Sequence, residues 1–183
     1  LPEEQAKRLA AVGAAHHALG QAEKGAETLA QFDALEKRVE ELKLDAGAKA
    51  EEKARDDKKN EKETKKAKTD AMKPFDGRIK TINQYRAELL ACQAVVDKNS
   101  DEFKKQIAKA GKMSRERKSQ LQLQIGNKKE AEKLARRAAH AKGQVQPLAN
   151  HADILWRSGN EKEAIGQFKK LREISAHIDI GRA

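Results

Sequence analysis

The side chains in this sequence with the most to offer chemically are five histidines, a single cysteine and a dense set of cations. His16 and His17 are adjacent, so on a helix they point roughly 100° apart, whereas helical metal pairs sit three or four residues apart. His140, His151 and His177 are scattered, with no cysteine near them and, at a spacing of three or four, only Glu173 before His177. Packing and surface roles are therefore expected for the histidines, and no metal site. Cys92 lies in the apolar string Leu89-Leu90-Ala91-Cys92 and reads as a small buried hydrophobe. One cysteine also excludes an intrachain disulfide and a C-x-x-C redox or zinc motif. There is no nucleophile elbow, no glycine-rich phosphate loop and no Cys-His constellation. The reading is that the chain is not an enzyme and takes no cofactor.

The cations carry the sharper signal. Between Lys104 and Lys142 stand thirteen Lys and Arg against Glu116, Glu130 and Glu132, an excess of ten that equals the net charge of the whole chain. From Asn127 to Lys142, the residues Lys129, Lys133, Arg136, Arg137 and His140 follow one stripe of a helix, while Ala131, Leu134, Ala135 and Ala138 form the opposite, core-facing stripe. Such a basic face suits phosphates or an acidic protein segment. Phe103, at the zone's edge, is its one aromatic, so nothing supports base stacking of the single-strand type.

The elements that must position these residues are helices. Charged residues make up 37% of the chain and aromatics 3%, the profile of long helices rather than of a mixed fold. Proline occurs only at Pro2, Pro74 and Pro147, which leaves room for long uninterrupted helices. No window approaches the roughly 18 apolar residues needed to span a membrane, and the chain is read as soluble. Leu1 stands where a translated chain would begin with methionine; a removed leader and a trimmed sequence both fit.

A repeat organises the helices. Gly126-Asn127-Lys128-Lys129-Glu130-Ala131 recurs as Gly159-Asn160-Glu161-Lys162-Glu163-Ala164, and a related segment starts at Gly20. Seven residues before each of these glycines stand Gly13, Ser119 and Ala152; five residues after, Gly25, Ala131 and Ala164. Small residues let helix axes approach closely where a pair crosses. Farther on come Leu29 and Phe32, Ala135 and Ala138, then Phe168 and Leu171. This pattern resembles tetratricopeptide repeats, whose units are antiparallel helix pairs with small residues at the crossing and bulkier ones a turn later. The resemblance implies an all-α fold, an irregular α-solenoid of helix-turn-helix repeats. It also implies a groove for an extended peptide or partner helix, with Gln122, Asn150 and Asp153 as candidate groove positions. The family's aromatic positions are mostly absent here, being held by His16 and His17, Gln122 and Leu123, then Leu155 and Trp156. Trp156 is expected to pack inside its repeat. The run from Gln144 to Ile178, with Pro147-Leu148-Ala149-Asn150, Leu155-Trp156-Arg157-Ser158-Gly159 and Leu171-Arg172-Glu173-Ile174, also resembles the helical tail of bacterial thioredoxin-like redoxin proteins. That likeness implies an accessory scaffold region of an exported bacterial protein and carries over no active-site residue.

The stretch from Leu44 to Asp70 is almost without large apolar side chains. Glu51 with Arg55 and Glu61 with Lys65 have the favourable i, i+4 order, which predicts a solvated helix without a core; low hydrophobicity leaves disorder as the alternative. Pro74-Phe75-Asp76-Gly77 is read as its break, giving a helical hairpin with its tip near Pro74. A short further unit is expected over Arg86 to Lys112, turning at Asp97-Lys98-Asn99-Ser100 with Ser100 as N-cap and stopped by Gly111. The organisation expected is thus a repeat-like hairpin over residues 1–43, a charged coiled-coil-like hairpin over 44–85, repeats over 86–176 and a tail over 177–183.

These readings make the chain a non-catalytic scaffold for a peptide or protein partner. A polyanion or nucleic-acid binder working through Lys129, Lys133, Arg136 and Arg137 is the second reading. A spacer or self-association arm formed by the charged hairpin is the third.

Overall fold

The computed structural model describes residues 1–142 and 145–180, with side-chain surroundings for residues 1–140 and 145–174. Every regular element among them is an α-helix, so the fold is all-α. In chain order these are α1 (Pro2–Ala18), α2 (Ala22–Asp56), α3 (Glu61–Val96), α4 (Ser100–Lys109), α5 (Arg115–Gln124), α6 (Lys128–Lys142), α7 (Val145–Ser158) and α8 (Glu161–Ile180). The chain divides into two compact units, residues 1–112 and 113–183.

In the first unit α1 packs on α2 and α3, and α4 packs on α3. The core is Ala6 and Ala10 from α1, Phe32, Leu35 and Val39 from α2, and Ile82 and Leu89 from α3, all buried. Phe32, Leu35 and Val39 recur at alternating spacings of three and four, which keeps one stripe of a helix turned to its neighbour. Glycines let the helices approach, Gly13 of α1 toward α3 and Gly25 of α2 toward α1. A Cβ on Gly13 would lie 2.6 Å from Leu89 Cδ1, and one on Gly25 would lie 2.4 Å from His17 Cε1.

The long hairpin of α2 and α3 keeps a constant antiparallel register. Arg86 pairs with Asp33 at 2.6 Å, Asn83 Nδ2 donates to Glu36 at 2.7 Å, Lys43 pairs with Asp76 at 2.5 Å, and Lys68 pairs with Glu51 at 2.8 Å. Between the last two, Gly47 faces Met72. Steps of three, seven, four and four toward the tip along α2 are matched by the same steps along α3. Near the base the contact is built from large residues, and toward the tip from Gly47, Ala54 and Thr64, all buried. The segment expected to be a solvated helix thus has a narrow seam of small side chains.

Two expectations are corrected here. The hairpin tip lies at Asp57–Asn60, and Pro74 sits inside α3. Asn60 is the N-cap: its side chain accepts from Glu63 N at 3.0 Å, and the Glu63 carboxylate accepts from Asn60 N at 3.2 Å. This reciprocal capping satisfies two end groups at once. Pro74 removes one helical hydrogen bond at a cost of about 3 kcal/mol, but it is exposed, and seam contacts of Met72 and Ile79 on either side hold the helix through it. The second correction concerns α4, whose N-cap is Asn99 and not Ser100; the Asn99 side chain accepts from Glu102 N at 3.1 Å. Helix α2 also runs unbroken past residue 43, and α3 past residue 85.

In the second unit α5 packs on α6, α6 on α7 and α7 on α8, and α5 also touches α7. Ala131 and Ala135 of α6 cluster with Ile154 of α7, with Leu123 of α5 against them. All six small residues flanking the turn glycines are buried: Gly13, Gly25, Ser119, Ala131, Ala152 and Ala164. The turn glycines stand at bends with positive φ, +71° at Gly20, +91° at Gly126 and +93° at Gly159.

These three bends share one hydrogen-bond pattern with two others. At Gly126 its N–H donates to Leu123 O and the next N–H, of Asn127, donates to Gln122 O; Gly20 and Gly159 do the same within their own turns. This is the left-handed helix terminus that glycine favours. At the two other bends the left-handed residue is a lysine, Lys58 with φ 57° and Lys98 with φ 53°. A side chain in that conformation costs about 1–2 kcal/mol, partly offset by the greater freedom of glycine in the unfolded chain. Lys58→Gly and Lys98→Gly are each expected to stabilise the protein by roughly 0.5–1 kcal/mol, seen as a higher urea midpoint at unchanged slope.

Candidate functional site

The basic stripe on α6 is laid out as its spacing requires. Lys129, Lys133, Arg136, Arg137 and His140 are exposed, while Ala131, Ala135 and Ala138 are buried on the opposite side. Lys133, Arg136 and Arg137 line a shallow hollow of about 360 Å³. Lys133 reaches Glu130 at 3.1 Å, one turn back on the same helix, an exposed pair worth well under 1 kcal/mol. Its ammonium can therefore turn to another anion at little cost. The arrangement presents several positive charges over a short helix face, with an imidazole at one end.

The groove candidates are placed differently from one another. Asn150 is buried at 5% exposure. Its Nδ2 donates to Ser119 Oγ at 3.0 Å, its Oδ1 accepts from Gln120 Nε2 at 3.1 Å, and Ser119 Oγ donates to Glu116 O at 2.7 Å. Asn150 thus ties α7 to α5, and its amide is used inside the unit rather than at a surface. Gln122 is half-buried and accepts from Asn127 Nδ2 at 2.9 Å, which fastens the α5–α6 turn. Asp153 is half-exposed and faces Arg157 at 3.5 Å. A second tie runs between neighbouring hairpins of this unit: Asn160 Nδ2 donates to Glu132 Oε1 at 2.6 Å, and Lys128 Nζ donates to Ser158 O at 3.3 Å.

Trp156 corrects the expectation that it packs inside its repeat, for it is 51% exposed. Ile165 and Phe168 on α8 are also substantially exposed. The signal that separates Trp156 from its buried neighbours Ile154 and Leu155 is helical phase: two adjacent residues fill the inward arc and the third falls outside it.

Among the described residues no three His, Cys, Asp or Glu side chains converge as metal ligands would. His17 and His151 are buried, and the Nε2 of each has no hydrogen-bond partner among the described residues. Burial pushes both imidazoles below their ordinary pKa. At His17, Asp97 opposes that shift and His16 adds to it; at His151, Glu163 and Glu132 oppose it while Arg136 and His140 add to it. The folded state therefore favours the neutral form of both rings more than the unfolded chain does, in which they take up protons near pH ~6.5. The unfolded state binds more protons, so stability is lost as pH falls below that value, by at most about 1.4 kcal/mol per pH unit for each ring. The loss stops growing below the folded-state pKa. A falling urea midpoint between neutral and mildly acidic pH should reveal it, and the His17→Leu, His151→Leu double variant should lack that component.

A concavity of about 350 Å³ in the first unit is lined by Leu35, Val39 and Leu42, with Arg38 and Arg78 beside them. Arg78 is already engaged, 3.5 Å from Glu3 and 5.2 Å from the Phe75 ring centre. No helix of the described residues is long and apolar enough to cross a membrane. Comparison with family models, with curated proteins and with solved structures finds no match.

Proposed function

We propose that the chain is a non-catalytic interaction scaffold built from tetratricopeptide-like helix pairs, and that its partner is an acidic protein segment held on the face of α6. The observation that carries the scaffold reading is the repeated construction of three hairpins. In each, a glycine with positive φ makes the bend, and the two small residues at fixed distances from it are buried. Sequential packing of α5 to α8, with α5 also meeting α7, supports a solenoid-like succession in the second unit. The choice of an acidic partner rests on Lys129, Lys133, Arg136 and Arg137 standing exposed together. Asp153, half-exposed on α7, bears the charge that an acidic segment avoids and lies outside this face; Asn150 serves the interior.

Fluorescence anisotropy with a labelled glutamate-rich peptide tests the reading, with a single-stranded oligonucleotide in parallel. Peptide binding is expected to weaken by about tenfold or more in the Lys133→Glu, Arg136→Glu, Arg137→Glu variant, and to fall as salt rises from roughly 50 to 200 mM. Tighter binding of the oligonucleotide, with a steeper salt slope, would favour the polyanion reading instead. Binding of neither ligand, or binding indifferent to the charge reversal, rejects the acidic-partner reading.

A further inference from the structure

In the hairpins bent at Gly20 and Gly126, the positions nine and twelve residues beyond the glycine are covered by the helix that follows. Phe32, with Leu29 beside it, packs on Ile82 and Leu89 of α3, and Ala135 packs on Ile154 of α7. In the third hairpin the same positions are Phe168 and Leu171, and Phe168 is 44% exposed. Ile165, one turn earlier, is 47% exposed. Phe168 therefore stands uncovered among the described residues where its counterparts are covered, Leu171 is half-buried, and Trp156 adds further exposed apolar area on the same hairpin.

The charges beside that face identify what fits it. Glu161, Ile165, Phe168 and Arg172 fall at i, i+4, i+7 and i+11, so they form one straight stripe on α8, and all four are exposed. The stripe is acidic at its start, apolar in the middle and basic at its end. Laid antiparallel against an identical stripe, Ile165 meets Phe168 and Glu161 meets Arg172, twice over. Laid parallel, like charges would meet at both ends. The stripe is thus complementary to itself under a two-fold axis, as an isologous interface requires. The α2–α3 hairpin uses the same device within the chain, where Lys68 meets Glu51 and Lys43 meets Asp76 across an antiparallel seam.

We propose that two copies of this chain associate through α8, antiparallel, along the stripe Glu161, Ile165, Phe168 and Arg172. This inference is independent of the basic face on α6. One apolar stripe buries less than the roughly 1,200 Å² of a standard interface, so the dimer is weak, with Kd on the order of 10–100 µM.

Sedimentation velocity of the full chain across a concentration series bracketing that range tests the proposal. A monomer–dimer equilibrium is expected, and Phe168→Glu is expected to abolish it with the helical circular dichroism unchanged. Glu161→Lys and Arg172→Glu should each weaken self-association by about tenfold. An equimolar mixture of those two single variants should recover it, as should the double variant. Recovery separates a self-paired α8 from a nonspecific apolar contact and from a fold damaged by Phe168→Glu. A monomer at every concentration overturns the proposal, as does a dimer that survives Phe168→Glu or a charge exchange that restores nothing. Failure here leaves the peptide-binding test on α6 untouched, since that readout is made with the Lys133, Arg136 and Arg137 side chains of a different helix.

Discussion

Phe32→Ala is expected to destabilise the unit spanning residues 1–112 by about 3–5 kcal/mol. Phe32 is fully buried, and Leu35, Val39, Ile82 and Leu89 pack in the same cluster. Truncating the ring removes its transfer energy and leaves a cavity that three long helices cannot close by small adjustments. The chain has few aromatic residues, so no other ring in the cluster is buried to the same degree; Phe75 and Tyr85 are only partly buried against it. Phe32→Leu should cost distinctly less, because it keeps most of the volume. Urea unfolding followed by far-ultraviolet circular dichroism measures both, and a loss under about 1 kcal/mol for the alanine variant would contradict the packing described.

The second large effect comes from adding atoms. Gly13→Ala places a methyl 2.6 Å and 2.7 Å from the two Leu89 methyl carbons and 3.0 Å from Thr28 Cγ2. Leu89 is fully buried and cannot swing toward solvent. Overpacking of this kind costs about 1–3 kcal/mol, against roughly 1 kcal/mol that alanine would gain over glycine inside an unconstrained helix. The decisive experiment is a double-mutant cycle. In a Leu89→Ala background the methyl at position 13 enters vacated space, so Gly13→Ala should become neutral or stabilising. The two substitutions should then be strongly non-additive. Additive losses would show that Gly13 is needed for some reason other than the approach of α3.

Much of this was open to reading from the sequence, for reasons particular to each residue. The bends at Gly126 and Gly159 are legible because few other residues adopt positive φ without strain, and the repeat spacing marks them twice over. The burial of Ser119, Ala152 and Ala164 follows from the same spacing. The tip of the long hairpin is less plain, because two signals compete: Pro74 looks like a breaker, whereas Asn60 with Glu63 three residues later is a helix start. The cap prevails because tertiary contacts on both sides of Pro74 make up for its missing hydrogen bond. Between Leu44 and Asp70 the seam is made of Gly47, Ala54 and Thr64, and residues so small leave no hydrophobic periodicity to detect.

The candidate site divides along the same line. The exposure of Lys129, Lys133, Arg136 and Arg137 is a property of one helix and can be read from spacing alone. The burial of Asn150 cannot, since it depends on Ser119, 31 residues away, arriving beside it. Trp156 carries the opposite lesson. Its size suggests an interior place, yet helical phase puts it outside beside buried Ile154 and Leu155.

The matched pairs along α2 and α3 limit how the arm can change in length. Deleting seven residues from each leg, equidistant from the bend, would shorten the reach by about 10 Å at 1.5 Å per residue while leaving every remaining couple opposite its mate. Removing seven from one leg alone would set Lys43 and Asp76 out of step and turn the small-residue seam against bulkier neighbours. The projection is therefore a ruler that can be recut only in mirrored increments.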